Sequence, residues 1–111
     1  MYHVDMRPDL LRGHLDRLLL AALSQAPGHG YEISQRVVRT SGGELVVNEG
    51  SLYPALHRLE RGGLVSSSWS TEGGRRRRVY AITGAGRREV DESRREWKAF
   101  SSAVNQVMGT V

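Results

Sequence analysis

Apolar residues recur along the chain in three stretches at helical spacing, then in two short extended runs, then in one long stretch at seven-residue spacing. Over residues 9–25, Leu11, Leu15, Leu18, Leu19, Ala22 and Leu23 form one stripe, which predicts a first helix. Gly13 weakens its start, and Pro27-Gly28 ends it in a short turn. A second helix is predicted from Gly30 to Arg39, with Tyr31, Ile33, Val37 and Val38 as core contacts and Ser41-Gly42-Gly43 as its stop. Glu44 to Val47 reads as a short apolar link or a minor strand. The third helix is predicted over Gly50 to Arg61, because Leu52, Ala55, Leu56 and Leu59 follow i, i+3, i+4, i+7. Proline is at home only in the first helical turn, so Pro54 places the start near Ser51, with Asn48 as an earlier alternative cap. Gly62-Gly63 terminates this helix.

The period then changes. Leu64 to Trp69 and Val79 to Ile82 have strand length and composition, and Thr71-Glu72-Gly73-Gly74 supplies a turn between them, so the pair reads as a hairpin. Thr83 caps a last helix that runs to about Met108, where Gly109 stops it. Three short helices, a two-stranded hairpin and a final helix give a mainly α fold with a small β-hairpin. This is the layout of a winged helix-turn-helix followed by a C-terminal helix. In that layout the third helix enters a DNA major groove and the hairpin wing touches the neighbouring backbone. The expected organisation is a DNA-binding domain over residues 1–82 and a dimerisation helix over residues 83–111.

Charge sharpens this reading. The chain of 111 residues carries a net charge of +4, but residues 1–47 balance five Arg against five acidic residues. Residues 48–82 hold six Arg against three Glu, and four of the six are Arg75-Arg76-Arg77-Arg78. Concentrated positive charge fits a polyanion partner, whereas the plainer reading is a solvated charge run. With no cysteine there are no disulfides and no thiolate metal sites. His3, His14, His29 and His57 lack metal-binding spacing, no nucleophile elbow or nucleotide-binding glycine fingerprint occurs, and His29 reads as structural. Neither an enzyme nor a cofactor is expected. Met1 to Leu10 lacks the apolar core of a signal peptide, and Leu18 to Leu23 is too short to span a bilayer, so a cytoplasmic protein with no membrane partner is expected.

The chain resembles the PadR family of bacterial transcriptional regulators. Leu11-Arg12-Gly13-His14-Leu15-Asp16 with Leu18-Leu19-Leu20 is similar to that family's opening helix, although His14 stands where family members often have Ser or Thr. Gly28-His29-Gly30-Tyr31-Glu32-Ile33 resembles its second-helix signature. Gly50-Ser51-Leu52-Tyr53-Pro54-Ala55-Leu56, with Leu59-Glu60 and Gly63-Leu64-Val65, resembles its recognition helix. Gly73-Gly74-Arg75, Tyr80, Thr83 and Gly86 are similar to its wing and the start of its last helix. The match covers residues 10–90. With a single C-terminal helix, the chain resembles the family's short subfamily. The resemblance implies a homodimeric DNA-binding regulator, expected to be a repressor relieved by a small-molecule effector. The alternative is a winged helix used for protein interaction or small-molecule binding without DNA, against which the basic wing argues.

On this reading Ser51, Tyr53, Pro54, His57 and Arg58 face double-stranded DNA, with Arg58 directed either to a guanine edge or to a phosphate. Strand alternation prevents all four wing arginines from following one phosphate track, so Arg75, Arg76 and Arg77 are the expected wing contacts. In the last helix, Val90, Trp97 and Val104 form one heptad row, and Ser93, Phe100 and Val107 the other. Val90, Trp97, Phe100, Val104 and Val107 are the expected homodimer interface; folding back onto the same domain is the alternative. Trp97 is bulky for such a seam. It either packs there or lines a slot with its symmetry mate, suited to a planar aromatic effector.

Overall fold

The computed structural model describes residues 13–110. The elements run α1 (Leu15–Leu23), β1 (Gly28–His29), α2 (Gly30–Thr40), α3 (Glu49–Arg61), β2 (Val65–Ser70), a single 3-10 turn (Glu72–Gly74), β3 (Arg77–Ile82) and α4 (Gly84–Met108). The expected order of three helices, hairpin and final helix is present. The portion of the predicted first helix over residues 9–12, with Leu11, lies outside the described residues. Within them α1 ends at Leu23.

One core joins all the helices to the sheet. Leu15, Leu19, Leu20 and Leu23 of α1 meet Ile33 and Val37 of α2 and the predicted α3 stripe of Leu52, Ala55, Leu56 and Leu59. Val65 and Tyr80 close this cluster from the sheet, and Val90 closes it from α4. Tyr31, expected in the core, is instead exposed. The turn after α1 is held by Arg36 of α2, whose Nη1 donates to the carbonyls of Ala22 and Ala26, at 2.7 Å each.

The sheet has three strands in the order β1-β3-β2, all antiparallel. The third strand is a two-residue pairing, Gly28 with Tyr80 and His29 with Val79, in the segment expected to be only a turn. Glu44 to Val47 does not form a strand. Its Leu45 N–H takes Ser41 Oγ at 3.0 Å, while Leu45 and Val47 lean on the core.

Helix α3 begins at Glu49, one residue before the predicted Gly50, and takes the earlier of the two candidate caps. The Asn48 side chain accepts the Ser51 N–H at 2.9 Å and caps the helix. Pro54 therefore lies inside the helix rather than in its first turn. It removes the hydrogen bond that would reach Gly50. Burial of Leu52, Ala55 and Leu56 around it outweighs that loss, at about 1.5–3 kcal/mol for each fully buried leucine.

Thr83 caps α4 as expected, and more tightly than a cap alone requires. Its Oγ1 accepts the Gly86 N–H at 3.0 Å and donates to the Gly63 carbonyl at 2.8 Å, while its N–H donates to Leu64. The first turns of α4 are thereby seated on the start of the hairpin. Gly86 and Val90 are the buried residues of α4.

Candidate nucleic-acid interface

The inward stripe of α3 leaves its other face to solvent. Ser51, Tyr53, Pro54, His57 and Arg58 are all exposed there, on the side expected from their spacing. Tyr53 also has an internal contact. Its ring lies so close to Gly30, at the start of α2, that a Cβ on Gly30 would fall 2.8 Å from a ring carbon. With glycine here the α2 N-terminus and the end of the tyrosine ring approach this closely; a larger residue would push the ring aside. Tyr53 therefore fastens α2 to α3 while presenting one edge outward.

Arg58 is already paired. Its Nη2 and Nε donate to the two carboxylate oxygens of Asp16 on α1, at 2.9 and 3.3 Å. The hydrogen bond first and the charge second raise its pKa above the ordinary guanidinium value. Any contact of Arg58 with a base or a phosphate must compete with, or share, this fork-to-fork pairing.

The wing divides its arginines by strand alternation. Trp69 stands opposite Arg78, and Ser70 opposite Arg77. Arg76 and Arg78 both place their guanidinium carbons over the Trp69 ring, at 4.4 and 5.3 Å from its centroid. Arg77 turns the other way, and its Nη1 lies 2.8 Å from His29 Nε2.

His29 is the N-cap of α2, as a structural reading of it requires. Its Nδ1 accepts the Glu32 N–H, and Glu32 returns a carboxylate oxygen to the His29 N–H. Between wing and helices lies a cleft of about 420 Å³, lined by His29, Tyr31, Tyr53, Tyr80 and the four wing arginines. Of the residues expected to face DNA, Tyr53, Arg75, Arg76 and Arg77 line this cleft, whereas Ser51, Pro54, His57 and Arg58 do not; Arg78, Tyr31, His29 and Tyr80 line it as well. Burial raises the Tyr80 phenol above its ordinary value, partly offset by the charge of Arg78.

Along α4 burial divides the heptad positions by their place in the helix, early against late, and not by row. Val90 is only 3% exposed and belongs to the core of its own protomer, which removes it from the expected subunit interface. The reason is position: Val90 is one turn beyond Gly86, where α4 still lies against the sheet. Trp97, Phe100, Val104 and Val107 are exposed. Trp97 meets the His14 ring edge-on at 5.4 Å between centroids and Phe100 at 6.0 Å. A shallow apolar hollow of about 260 Å³ lies beyond it, lined by Phe100, Ala103, Val104, Val107 and Met108.

Among the described residues there is no cluster of His, Cys, Asp or Glu able to hold a metal ion. No helix among them is long and apolar enough to cross a membrane.

Residues 19–92 match the family model of the transcriptional regulator PadR-like family. The transcriptional regulator Rv3488 of Mycobacterium tuberculosis is 41% identical over 81 residues, spanning 73% of this chain and 70% of that protein. A transcriptional regulator from Clostridium thermocellum has a similar structure, with a TM-score of 0.80 and 32% identity over 88% of this chain and 96% of the other. A PadR family transcriptional regulator from Eggerthella lenta superposes with a TM-score of 0.77 and 30% identity, covering 93% of this chain and 88% of that one. The family is one of regulators, not enzymes. The chain belongs to the PadR-like family of transcriptional regulators.

Proposed function

We propose that this regulator binds duplex DNA as a homodimer, with one α3 in each of two successive major grooves and the wings on the adjoining backbone. The observation that carries this reading is the shared cleft, in which Tyr53 of α3 and the four wing arginines line one opening. Ser51, Tyr53, Pro54 and His57 meet the groove, and Arg75, Arg76 and Arg77 meet phosphates. Arg58 joins them where Asp16 releases or shares it. The exposed apolar run of Trp97, Phe100, Val104 and Val107 supports pairing of two copies through α4. The two reading heads would then lie about 34–36 Å apart, matching a partly palindromic operator.

Regulation follows at the seam. Trp97 and its symmetry mate, each braced by His14 and Phe100, form a slot for a planar aromatic effector. Occupancy resets the spacing of the reading heads and lifts repression. Gel-shift titration against promoter fragments, including the region upstream of the gene itself, tests DNA binding. A retarded complex that competes poorly with unrelated duplex is expected; no retardation at low salt with any fragment would refute it and favour a protein-interaction module. For the effector, planar aromatic compounds should quench Trp97 emission and release the fragment. Binding that survives Trp97→Ala unchanged would reduce Trp97 to interface packing.

A further inference from the structure

We infer that Trp69 is a positioning residue for the wing, holding the Arg76 guanidinium ready for a DNA phosphate and tying that placement to the end of α3 through Arg78. The inference rests on the DNA reading above and adds to it a division of labour among the arginines.

Trp69 is 54% exposed and lies on the outer half of the hairpin. So large a ring left in solvent contributes little to the core, and its neighbours give it another role. Two guanidiniums lie over it, both within the reach of a cation–π contact. They differ in what else they touch. Arg78 Nε donates to Ser67 Oγ at 2.9 Å, and its Nη2 lies 3.6 Å from Glu60 on α3. Ser67 Oγ in turn donates to the same Glu60 carboxylate at 2.6 Å. Arg78 is therefore a strut, its charge facing an acidic partner on the helix. Arg76 is one alternation step further out, where β3 gives way to the turn.

A guanidinium held by its π face keeps its in-plane donors for another acceptor. An unrestrained arginine at a hairpin tip loses rotamer freedom when it grips a phosphate, and prior stacking removes part of that cost. The same ring that restrains Arg76 also contacts the strut anchored to α3. The phosphate contact of the wing is in this way fixed in distance from the helix in the groove.

The test is a double-mutant cycle read by fluorescence anisotropy. The probe is a labelled duplex of arbitrary sequence, about two to three helical turns long, because phosphate contacts are independent of sequence. Trp69→Ala is expected to weaken binding about three- to five-fold. It should also reduce the salt slope by up to about 0.9, the value of one phosphate contact. Trp69→Phe should retain most of both, and Trp69→Leu, apolar but without the ring, should not. In an Arg76→Ala background, Trp69→Ala should have little further effect. Equal losses in both backgrounds would overturn the inference, since Trp69 would then act without Arg76. So would an unchanged affinity in the otherwise wild-type chain, or full rescue by leucine. Failure of the unsubstituted protein to bind the duplex appears before any variant is made and would remove the DNA reading together with this one.

Discussion

Replacing Gly86 by alanine should loosen α4 from the domain, although alanine is the better helix former. Gly86 is the third residue of α4, and its N–H is held by the Thr83 cap. A Cβ built there would collide with the Leu64 carbonyl oxygen and lie 2.6 Å from Ile82 Cγ1. The obstruction is mainly backbone, so a rotamer change cannot relieve it; helix and hairpin must separate. Overpacking of this kind costs about 1–3 kcal/mol. The intrinsic gain from glycine to alanine returns about 0.5–1 kcal/mol. The net expectation is a loss of up to about 2.5 kcal/mol, or a Tm lowered by up to roughly 10–20 °C for a domain of this size. Gly84 is the internal control, because the nearest atom to a Cβ there is the end of the Arg88 side chain at 3.7 Å. Gly84→Ala should leave Tm unchanged or raise it slightly. Both variants are to be melted by circular dichroism beside the parent at one protein concentration, since any dimer makes Tm concentration-dependent. A Gly86→Ala protein as stable as the Gly84→Ala protein would refute the close seating of α4 on Leu64.

Three other outcomes follow from the site. Replacing Arg75, Arg76 and Arg77 together with alanine should weaken binding to all duplexes alike and lower the salt slope by about 0.9 for each phosphate no longer neutralised; an unchanged slope would take the wing out of the interface. Phe100→Glu with Val107→Glu should give a folded monomer by light scattering, because both side chains are exposed in the protomer; a persistent dimer would move the interface elsewhere. Truncation before Arg87 is a poorer test, since it also deletes core residue Val90. Burial raises the Tyr80 pKa in the folded chain, so its neutral phenol favours folding fully below the ordinary value of about 10, and that contribution is lost as pH rises through the higher folded value. Urea melts should therefore show stability falling in the alkaline range, less steeply in Tyr80→Phe; identical pH profiles for the two proteins would refute this.

The features legible in the sequence were those set by neighbours along the chain. The α3 stripe, the hairpin, the Thr83 cap and the Gly109 stop depend on periodicity and on residues a few positions apart. The misses involve distant partners or packing that outweighs a local rule. Strand β1 exists because Gly28 and His29 find Tyr80 and Val79, some fifty positions on. The pairing of Arg58 with Asp16 spans 42 positions, and that of Arg77 with His29 spans 48. Pro54 misplaced the helix start, because burial of its neighbours overrides the local rule that confines proline to the first turn. Val90 shows the limit of a heptad pattern: the same spacing covers a contact within the protomer core and side chains left exposed on its surface. Tyr31 and Tyr80 could have been added to the candidate site only with the sheet register known, since neither carries a charge that marks it.

The placement of the two buried residues of α4 at its beginning has a consequence for how such a regulator diversifies. Gly86 and Val90 serve the fold, whereas the apolar side chains from Trp97 onward lie outside the protomer core. Substitutions in the later half are nearly free of any folding penalty. Where two copies pair through α4 as proposed, that half could drift after a gene duplication to recognise only its own copy, and two sister regulators would cease to form mixed dimers while the rest of each chain stayed unaltered. Exchange of the segment after Trp97 between two such sisters should accordingly exchange their choice of mate and leave the protomer core intact.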